Sequence, residues 1–365
     1  MVADKLERII LKETPYNDVM DWEMVERWSD GIPTKSENDP ENPEWKPTPV
    51  FELDLTPLGY GKILVKNEAD ITSNPTGTIK DRPAWEAACI HRDYAKNLFL
   101  QKKDGILDGN IGSLIVPRFT YITGKSGNFA KSVSETFRKY GLPPIKIIAD
   151  MGISDKKKEE LKKMYVDVYL VDLSKKSFTP EEIKRISNNE KGVDITSSMA
   201  VQPNIIFYDW HVYEAFNENA DNIYIPFGSG RLRDNYLTHQ SMSVRNPDPR
   251  LKISKAKLAS MNILASEPEE SKSSAESLTK AYNPFMIMKD NDGIDLKALS
   301  FTGKDTGIYK TKEEYIKLAY EILKTHCSTS MSGGSGFALY LQRFDEGKVN
   351  PMDKSFVVNT GKGLQ

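Results

Sequence analysis

One lysine lies where its side chain could do carbonyl chemistry. Lys80 follows a turn at residues 74–77 and immediately precedes a predicted helix. A lysine amine becomes a nucleophile toward carbonyl groups when burial or a neighbouring cation destabilises its charged form, and Arg82 could supply such a cation. An isolated lysine is more often a solvated surface charge. The turn and the neighbouring arginine favour the chemical role for Lys80.

A second segment could bind an anion. Residues 123–128 read Thr-Gly-Lys-Ser-Gly-Asn and join a predicted strand to a predicted helix. Backbone N–H groups at such a junction can bind a carboxylate or a phosphate. Gly-Lys-Ser also occurs in nucleotide-binding P-loops, but that motif needs a glycine at the position of Phe119. The segment is therefore either an anion-binding loop or an ordinary turn.

Two glycine-containing segments follow predicted strands later in the chain. Gly228, Ser229 and Gly230 follow one strand, and glycines there let backbone amides approach a phosphate closely. Arg231, the next residue, could pair with the same phosphate. Thr360 begins a Thr-Gly-Lys-Gly sequence at the end of the last strand, where a hydroxyl could hydrogen-bond a heterocycle. A plain turn is the alternative for each segment.

Alternating strands and helices must position these segments. The alternation predicts an α/β fold with largely parallel sheets, in which ligands bind beyond the carboxyl ends of the strands. Residues 1–44 are predicted to form one or two helices and a surface loop, and residues 245–257 and 267–276 are predicted surface connections. The predicted strands are 63–65, 121–123, 145–149, 166–171, 222–226, 261–265 and 355–358, and the main predicted helices are 83–98, 126–140, 155–164, 312–324 and 336–344.

The composition argues against several other classes of protein. The chain has 365 residues, and its 50 basic and 52 acidic residues give a net charge of −2, so bulk charge does not favour a nucleic-acid partner. Its 2 cysteines cannot build a disulfide framework, and its 4 histidines form no zinc-binding pair. No apolar run approaches the roughly 20 residues of a membrane span, and the N-terminus has no signal-peptide core. We therefore expect a cytoplasmic protein without a metal or a membrane partner.

Together, these segments resemble the fold-type II pyridoxal-phosphate (PLP) enzymes, which include threonine synthase, cysteine synthase, serine/threonine dehydratases and the tryptophan synthase β subunit. The lysine segment, residues 66–68 followed by 74–82, is close to the family's own and is the most specific part of the resemblance. The order and spacing match from about residue 45 to residue 363. Shorter similarities are residues 48–50 to the family's Thr-Pro-Leu, 126–128 to its asparagine loop, 228–230 to its phosphate loop, 267–268 to its Glu-Pro, and 360–363 to the tail of threonine synthase and the tryptophan synthase β subunit.

The resemblance implies a tryptophan synthase β-like architecture. This fold has two domains with mostly parallel sheets flanked by helices, and PLP lies in the cleft between them. We expect an N-terminal extension at residues 1–44, a larger PLP-binding domain at 45–80 plus 211–365, and a smaller domain with the asparagine loop at 81–210. We also expect a homodimer.

The resemblance also implies a role for each candidate residue. Lys80 would hold PLP as a Schiff base and later move protons. Asn128 would bond the cofactor's 3′-oxygen and Thr360 its pyridine nitrogen, where a neutral hydroxyl leaves the ring a weaker electron sink than an aspartate would. The amides of Gly228, Ser229 and Gly230 would hold the phosphate, and Thr78, Lys125 and Ser126 would border the substrate carboxylate.

The chain departs from the family pattern at three places. Lys125 stands where the family usually has serine or threonine, and Arg231 stands where another glycine is common. Residues 164–166, Met-Tyr-Val, replace a small Gly-Ala sequence. The first two departures change the charge of the expected site and therefore bear on its substrate.

The resemblance predicts β- or γ-elimination or replacement on a small amino acid. The first reading is a threonine-synthase-like carbon–oxygen lyase that acts on an activated hydroxy-amino acid. A cysteine-synthase-like transferase and a serine/threonine ammonia-lyase are the alternatives among enzymes. The alternative outside the enzymes is a catalytically inactive PLP-binding regulatory or partner subunit. The presence of Lys80 argues against this alternative.

Overall fold

The computed structural model describes residues 7–32, 47–105, 114–115, 118–174, 178–196, 208–270, 272–278 and 305–363. The chain divides into two compact units. Among the described residues, the first unit comprises 7–32 and 80–196, and the second comprises 47–79 and 208–363. In these segments no helix is long and apolar enough to cross a membrane.

Strands and helices alternate along most of the chain. The elements are β1 (Arg8–Lys12), β2 (Val19–Met20), α1 (Trp22–Gly31), β3 (Val50–Asp54), β4 (Lys62–Asn67), α2 (Asp81–Lys103), β5 (Leu114–Ile115), β6 (Phe119–Gly124), α3 (Asn128–Tyr140), β7 (Ile145–Asp150), α4 (Asp155–Lys163), β8 (Val166–Val171), α5 (Pro180–Ile186), β9 (Val193–Asp194), α6 (Asp209–Asn217), β10 (Asn222–Pro226), α7 (Arg231–Arg245), α8 (Lys255–Ser260), β11 (Asn262–Pro268), β12 (Ile308–Thr311), α9 (Glu313–Leu323), α10 (Ser335–Asp345) and β13 (Ser355–Asn359).

The first unit is built on a five-stranded sheet with the strand order β1-β8-β7-β6-β9. Strands β6 to β9 run parallel, and β1 pairs with β8 in the antiparallel direction. Every residue of β8 is buried, as expected for an inner strand of a parallel sheet covered on both faces. Ile147, Val168 and Phe137 belong to one hydrophobic cluster that joins the sheet to its helices. The sheet therefore fixes where the loop between β6 and α3 begins.

The second unit is built on a six-stranded sheet with the order β12-β11-β10-β13-β4-β3. All neighbouring strands are parallel except β3 and β4. Two hydrophobic clusters cover its faces, one with α9 and α10 and the other with α6, α7 and α8. Because β4, β10 and β13 are parallel neighbours, their carboxyl ends reach the same edge of the sheet. The loops that follow them start side by side.

The α/β class and the mainly parallel sheets confirm the prediction from sequence, and β8 and β10 have the predicted bounds. Two other predictions were wrong, one for the N-terminal region and one for a surface connection. Residues 8–12 form an edge strand instead of a helix, because their charged Arg-Ile-Ile-Leu-Lys sequence gains its order from pairing with β8. Residues 245–257 are not wholly a surface connection, since α7 extends to Arg245 and α8 starts at Lys255.

Candidate active site

Residues 68–80 form a compact turn between β4 and α2, which we call the lysine turn. Its base is closed by Asn74, whose Nδ2 donates to the backbone oxygen of Glu68 over 2.9 Å. The Gly77 amide donates to the Asn74 oxygen over 2.8 Å, and Gly77 takes a φ of +73°, which favours glycine. Lys80 ends the turn, is half-buried, and immediately precedes the first residue of α2. The turn therefore presents Lys80 from a backbone held by several hydrogen bonds.

The lysine turn pairs with the segment that follows β13. Thr78 and Gly361 form an antiparallel bridge, and the Ile79 amide donates to the Thr360 oxygen over 3.1 Å. The Thr78 hydroxyl donates to the same oxygen over 3.2 Å. The structure thus brings Thr78 and Thr360 together, although 282 residues separate them in sequence. Lys80 follows this pairing directly along the chain.

Glycines make the close pairing of these two segments possible. Gly361 has a φ of +99°, and a Cβ there would lie 2.4 Å from the Gly77 backbone oxygen. A Cβ on Gly333 would lie 2.2 Å from the Gly361 oxygen. Each of these distances is below any normal carbon–oxygen contact, and both are to backbone atoms that cannot move independently. Only glycine fits at these two positions.

Thr360 offers its hydroxyl at the end of β13. The side chain is half-buried, and among the described residues Thr360 forms its hydrogen bonds through its backbone. The residue before it, Asn359, is fully buried and donates to the Ser328 oxygen over 2.8 Å and to the Cys327 Sγ over 3.3 Å. Burial raises the pKa of the Cys327 thiol, which keeps this neighbour neutral. The sequence reasoning missed Asn359, whose only signal was its place at a strand end.

The glycine loop at residues 228–230 lies between β10 and α7. Gly230 takes a φ of +84° and precedes a helix of 15 residues, so the first amides of α7 point their N–H groups into the loop region. Burial raises the pKa of the Asp234 carboxyl in the first turn, and nearby Arg231 and Arg233 oppose that shift. Orphan amides and a glycine backbone suit a phosphate group. The Arg233 guanidinium is engaged elsewhere, because its Nε donates to the Thr306 backbone oxygen over 3.2 Å.

Three predicted residues of the first unit lie together in the loop between β6 and α3. Lys125 and Ser126 form the turn, Gly127 takes a φ of +66°, and Asn128 is the first residue of α3. Phe119 lies in β6, which confirms that it belongs to a strand and not to a P-loop. Lys125 is half-buried and, within the described parts of the chain, its ammonium forms no hydrogen bond or ion pair. The loop offers a cation and a hydroxyl at the start of a helix.

The structure groups the predicted residues by unit. In the second unit, the pairing of β10 with β13 aligns Tyr224 with Val357, so the loops at residues 228–230 and 360–363 leave the same sheet edge as neighbours. In the first unit, Lys125, Ser126 and Asn128 share one loop.

The fold is shared with solved structures of PLP-dependent enzymes. No protein-family model matches the chain, and no curated protein is significantly similar to it in sequence. Serine racemase from Dictyostelium discoideum has 16% identity and a TM-score of 0.56, and the match covers 93% of this chain and 98% of the racemase. A pyridoxal 5′-phosphate-dependent aspartate racemase matches at 13% identity and a TM-score of 0.56, over 96% of this chain and 98% of its own.

Diaminopropionate ammonia lyase from Escherichia coli, solved with a PLP-bound reaction intermediate, matches at 14% identity and a TM-score of 0.55. That match covers 98% of this chain and 93% of the lyase. At such low sequence identity, these structural similarities show a shared backbone fold. The chain therefore has the tryptophan synthase β-like fold of the fold-type II PLP-dependent enzymes.

Proposed function

We propose that this chain is a PLP-dependent enzyme that performs β- or γ-elimination or replacement on a small amino acid, with threonine-synthase-like chemistry on an activated hydroxy-amino acid. The observation that carries the proposal is the pairing of the lysine turn with the Thr360 segment. This pairing joins the segment that carries Thr360 to the two residues directly before Lys80, and so it supports a shared role for the two segments. The fold shared with PLP enzymes supports the same reading.

The residues of the chain would divide the work of binding and proton transfer. Lys80 would hold the cofactor covalently through Nζ and would move the proton at the substrate Cα. The amides of residues 228–230 would hold the phosphate, Asn128 the 3′-oxygen and Thr360 the ring nitrogen. When bound, PLP supplies the electron sink for breaking bonds at the substrate Cα. Thr78 and Ser126 would bind and orient the substrate carboxylate.

Absorbance spectroscopy tests the proposal directly. The purified protein with added PLP should show the band of a lysine-bound cofactor. The band should shift, and product should form, with one or more of a panel of amino acids and their O-phospho and O-acetyl derivatives. A band without turnover on any of them would favour a non-catalytic PLP-binding subunit. Absence of the band at saturating PLP would reject the proposal.

Replacing Gly228 with valine is expected to weaken PLP binding about 10- to 150-fold, the scale of a lost charge-assisted hydrogen bond. A branched side chain would keep the phosphate away from the loop amides. The added Cβ would meet the end of the Leu278 side chain at 3.2 Å, which can shift, so folding should persist.

The measurement for this variant is a PLP titration together with thermal unfolding. Gly31→Val is the matched control, because a Cβ on Gly31 meets nothing within 4 Å. Full PLP affinity in Gly228→Val would mean that the phosphate binds elsewhere.

Replacing Lys125 with serine is expected to weaken a dianionic amino acid, such as an O-phospho or side-chain carboxylate substrate, by roughly 1–3 kcal/mol. Lys125 lies at a helix start that already favours anions, and its half-buried ammonium could bind a second anionic group. Binding of serine should hardly change. The ligand-induced shift of the absorbance band, titrated with both ligands, measures the effect. Equal losses for both ligands, or no loss for either, would contradict this role.

A further inference from the structure

Two polar pairs cross the interface between β4 and α6, inside the second unit. Lys66 and Glu68 lie two residues apart and therefore on one face of the chain at the end of β4. His211 and Glu214 lie three residues apart and therefore on one face of α6. Lys66 pairs with Glu214, and Glu68 contacts His211 over 2.8 Å. Lys66, Glu68 and His211 are at most 1% exposed. Removing such polar groups from water costs free energy of folding unless they are paired.

Glu68 is the centre of this network. Its Oε1 accepts from the Thr48 hydroxyl over 2.7 Å and contacts His211 Nδ1 over 2.8 Å. Its Oε2 accepts from Asn74 Nδ2 over 2.9 Å, and the same Nδ2 donates to the Glu68 backbone oxygen. Donors on both oxygens favour the ionised carboxylate as the acceptor. Glu68 thereby holds the base of the lysine turn.

His211 extends the network to α7. Because Glu68 is an acceptor, His211 donates from Nδ1, and Nε2 then accepts from the Tyr236 hydroxyl 2.8 Å away. Tyr236 lies in the second turn of α7, the helix that starts directly after the glycine loop. The order tyrosine, histidine, carboxylate resembles a nucleophile triad, but Tyr236 is fully buried and no substrate reaches it. The role of this chain of hydrogen bonds is therefore to position the backbone segments that it joins.

We infer that Glu68 and His211 are positioning residues that couple the glycine loop to the lysine turn. The path runs from α7 through Tyr236, His211 and Glu68 to Asn74 at the base of the turn. A phosphate that orders the start of α7 favours the arrangement of the turn that presents Lys80, and capture of a carbonyl by Lys80 favours phosphate binding by the same factor. The inference rests on the proposed function.

A purely structural network would stabilise the second unit without coupling its two ends. The two cases differ in one measurable quantity, the factor by which phosphate strengthens capture of a carbonyl at Lys80. Pyridoxal, which lacks the phosphate group, and inorganic phosphate serve as separate probes. The full chain, stripped of any cofactor, is incubated with pyridoxal with and without phosphate and reduced with borohydride. Mass spectrometry then gives the labelled fraction of Lys80 over a range of pyridoxal concentrations.

Phosphate should strengthen capture of pyridoxal in the wild type, and Tyr236→Phe should reduce that coupling factor about tenfold. His211→Gln, which breaks the path at its middle, should give a similar loss, and the double variant should lose no more than either single one. Tyr224→Phe is the matched control, because it removes another hydroxyl from a buried tyrosine of the same unit, 1% exposed, and should keep the wild-type factor.

The outcomes separate the inference from the proposed function. No phosphate effect in the wild type, or wild-type factors in both Tyr236→Phe and His211→Gln, would overturn the inference while labelling of Lys80 by PLP still supports the function. No labelling of wild-type Lys80 by PLP would overturn both. Thermal unfolding of each variant identifies loss of structure, and His211→Gln decides the matter if Tyr236→Phe does not fold.

Discussion

Replacing Lys80 with alanine is expected to lower turnover by roughly 10²- to 10⁴-fold, the range in which a positioned acid–base group acts, and to remove the band of the lysine-bound cofactor. Lys80 would serve both as the covalent anchor and as the group that moves the substrate proton, so no second residue replaces it. The half-buried side chain follows a turn whose backbone is fixed by the bonds of Asn74, Gly77 and Ile79. Alanine leaves that backbone intact.

The matched control for this variant is Lys62→Ala. Lys62 lies on β4, the strand that leads into the lysine turn, and its side chain is 56% exposed. Its surface ion pairs with Glu52 and Asp54 contribute little to stability or activity. Turnover and the absorbance band should stay at wild-type levels in this variant. Wild-type turnover in Lys80→Ala would contradict the assignment of the lysine.

The second large effect is expected for stability, in Gly361→Ala. Alanine at a φ of +99° costs about 1–2 kcal/mol from backbone strain alone. Its Cβ would also lie 2.4 Å from the Gly77 oxygen, and forcing atoms into such a packed place adds about 1–3 kcal/mol. The free energy of unfolding, measured with urea, should therefore fall by roughly 2–5 kcal/mol.

Gly347→Ala separates the two causes. Gly347 also has a positive φ, +66°, but a Cβ there meets nothing within 4 Å. It should lose only the strain contribution, about 1–2 kcal/mol. In Gly361→Ala the displaced strand end should also weaken PLP binding, since it carries Thr360 and supports the lysine turn. Equal losses in the two variants would show that the Gly77–Gly361 contact does not hold the two segments together.

Local signals in the sequence were sufficient for much of the fold. Apolar runs predicted β8 and β10 with their correct bounds, and Gly141, with a φ of +64°, ends α3 where the sequence predicted a stop. β1 was missed because it is a short, charged strand that depends on β8 for pairing. α6 was not predicted, because its nine residues carry no clear apolar period and several of its buried positions are polar, among them Asp209 and His211.

In the candidate site, too, the local motifs could be predicted from the sequence, but the contacts between distant segments could not. The sequence indicated Thr78 and Thr360 as members of two separate motifs, but it carried no signal that one backbone oxygen would accept from both Thr78 and Ile79. The pairs of Lys66 with Glu214 and Glu68 with His211 depend on how α6 crosses β4, which no spacing within either segment encodes. Contacts between distant segments are set by the packing of the sheet, and the sequence pattern alone does not specify that packing.

Reduction of the PLP-loaded protein with borohydride, followed by mass spectrometry of its peptides, tests directly whether Lys80 holds the cofactor. Reduction makes a lysine-bound cofactor permanent, so the labelled position is read without reference to activity. We expect one pyridoxyl group per chain, on Lys80. A label on another lysine, or no label at saturating PLP, would contradict it.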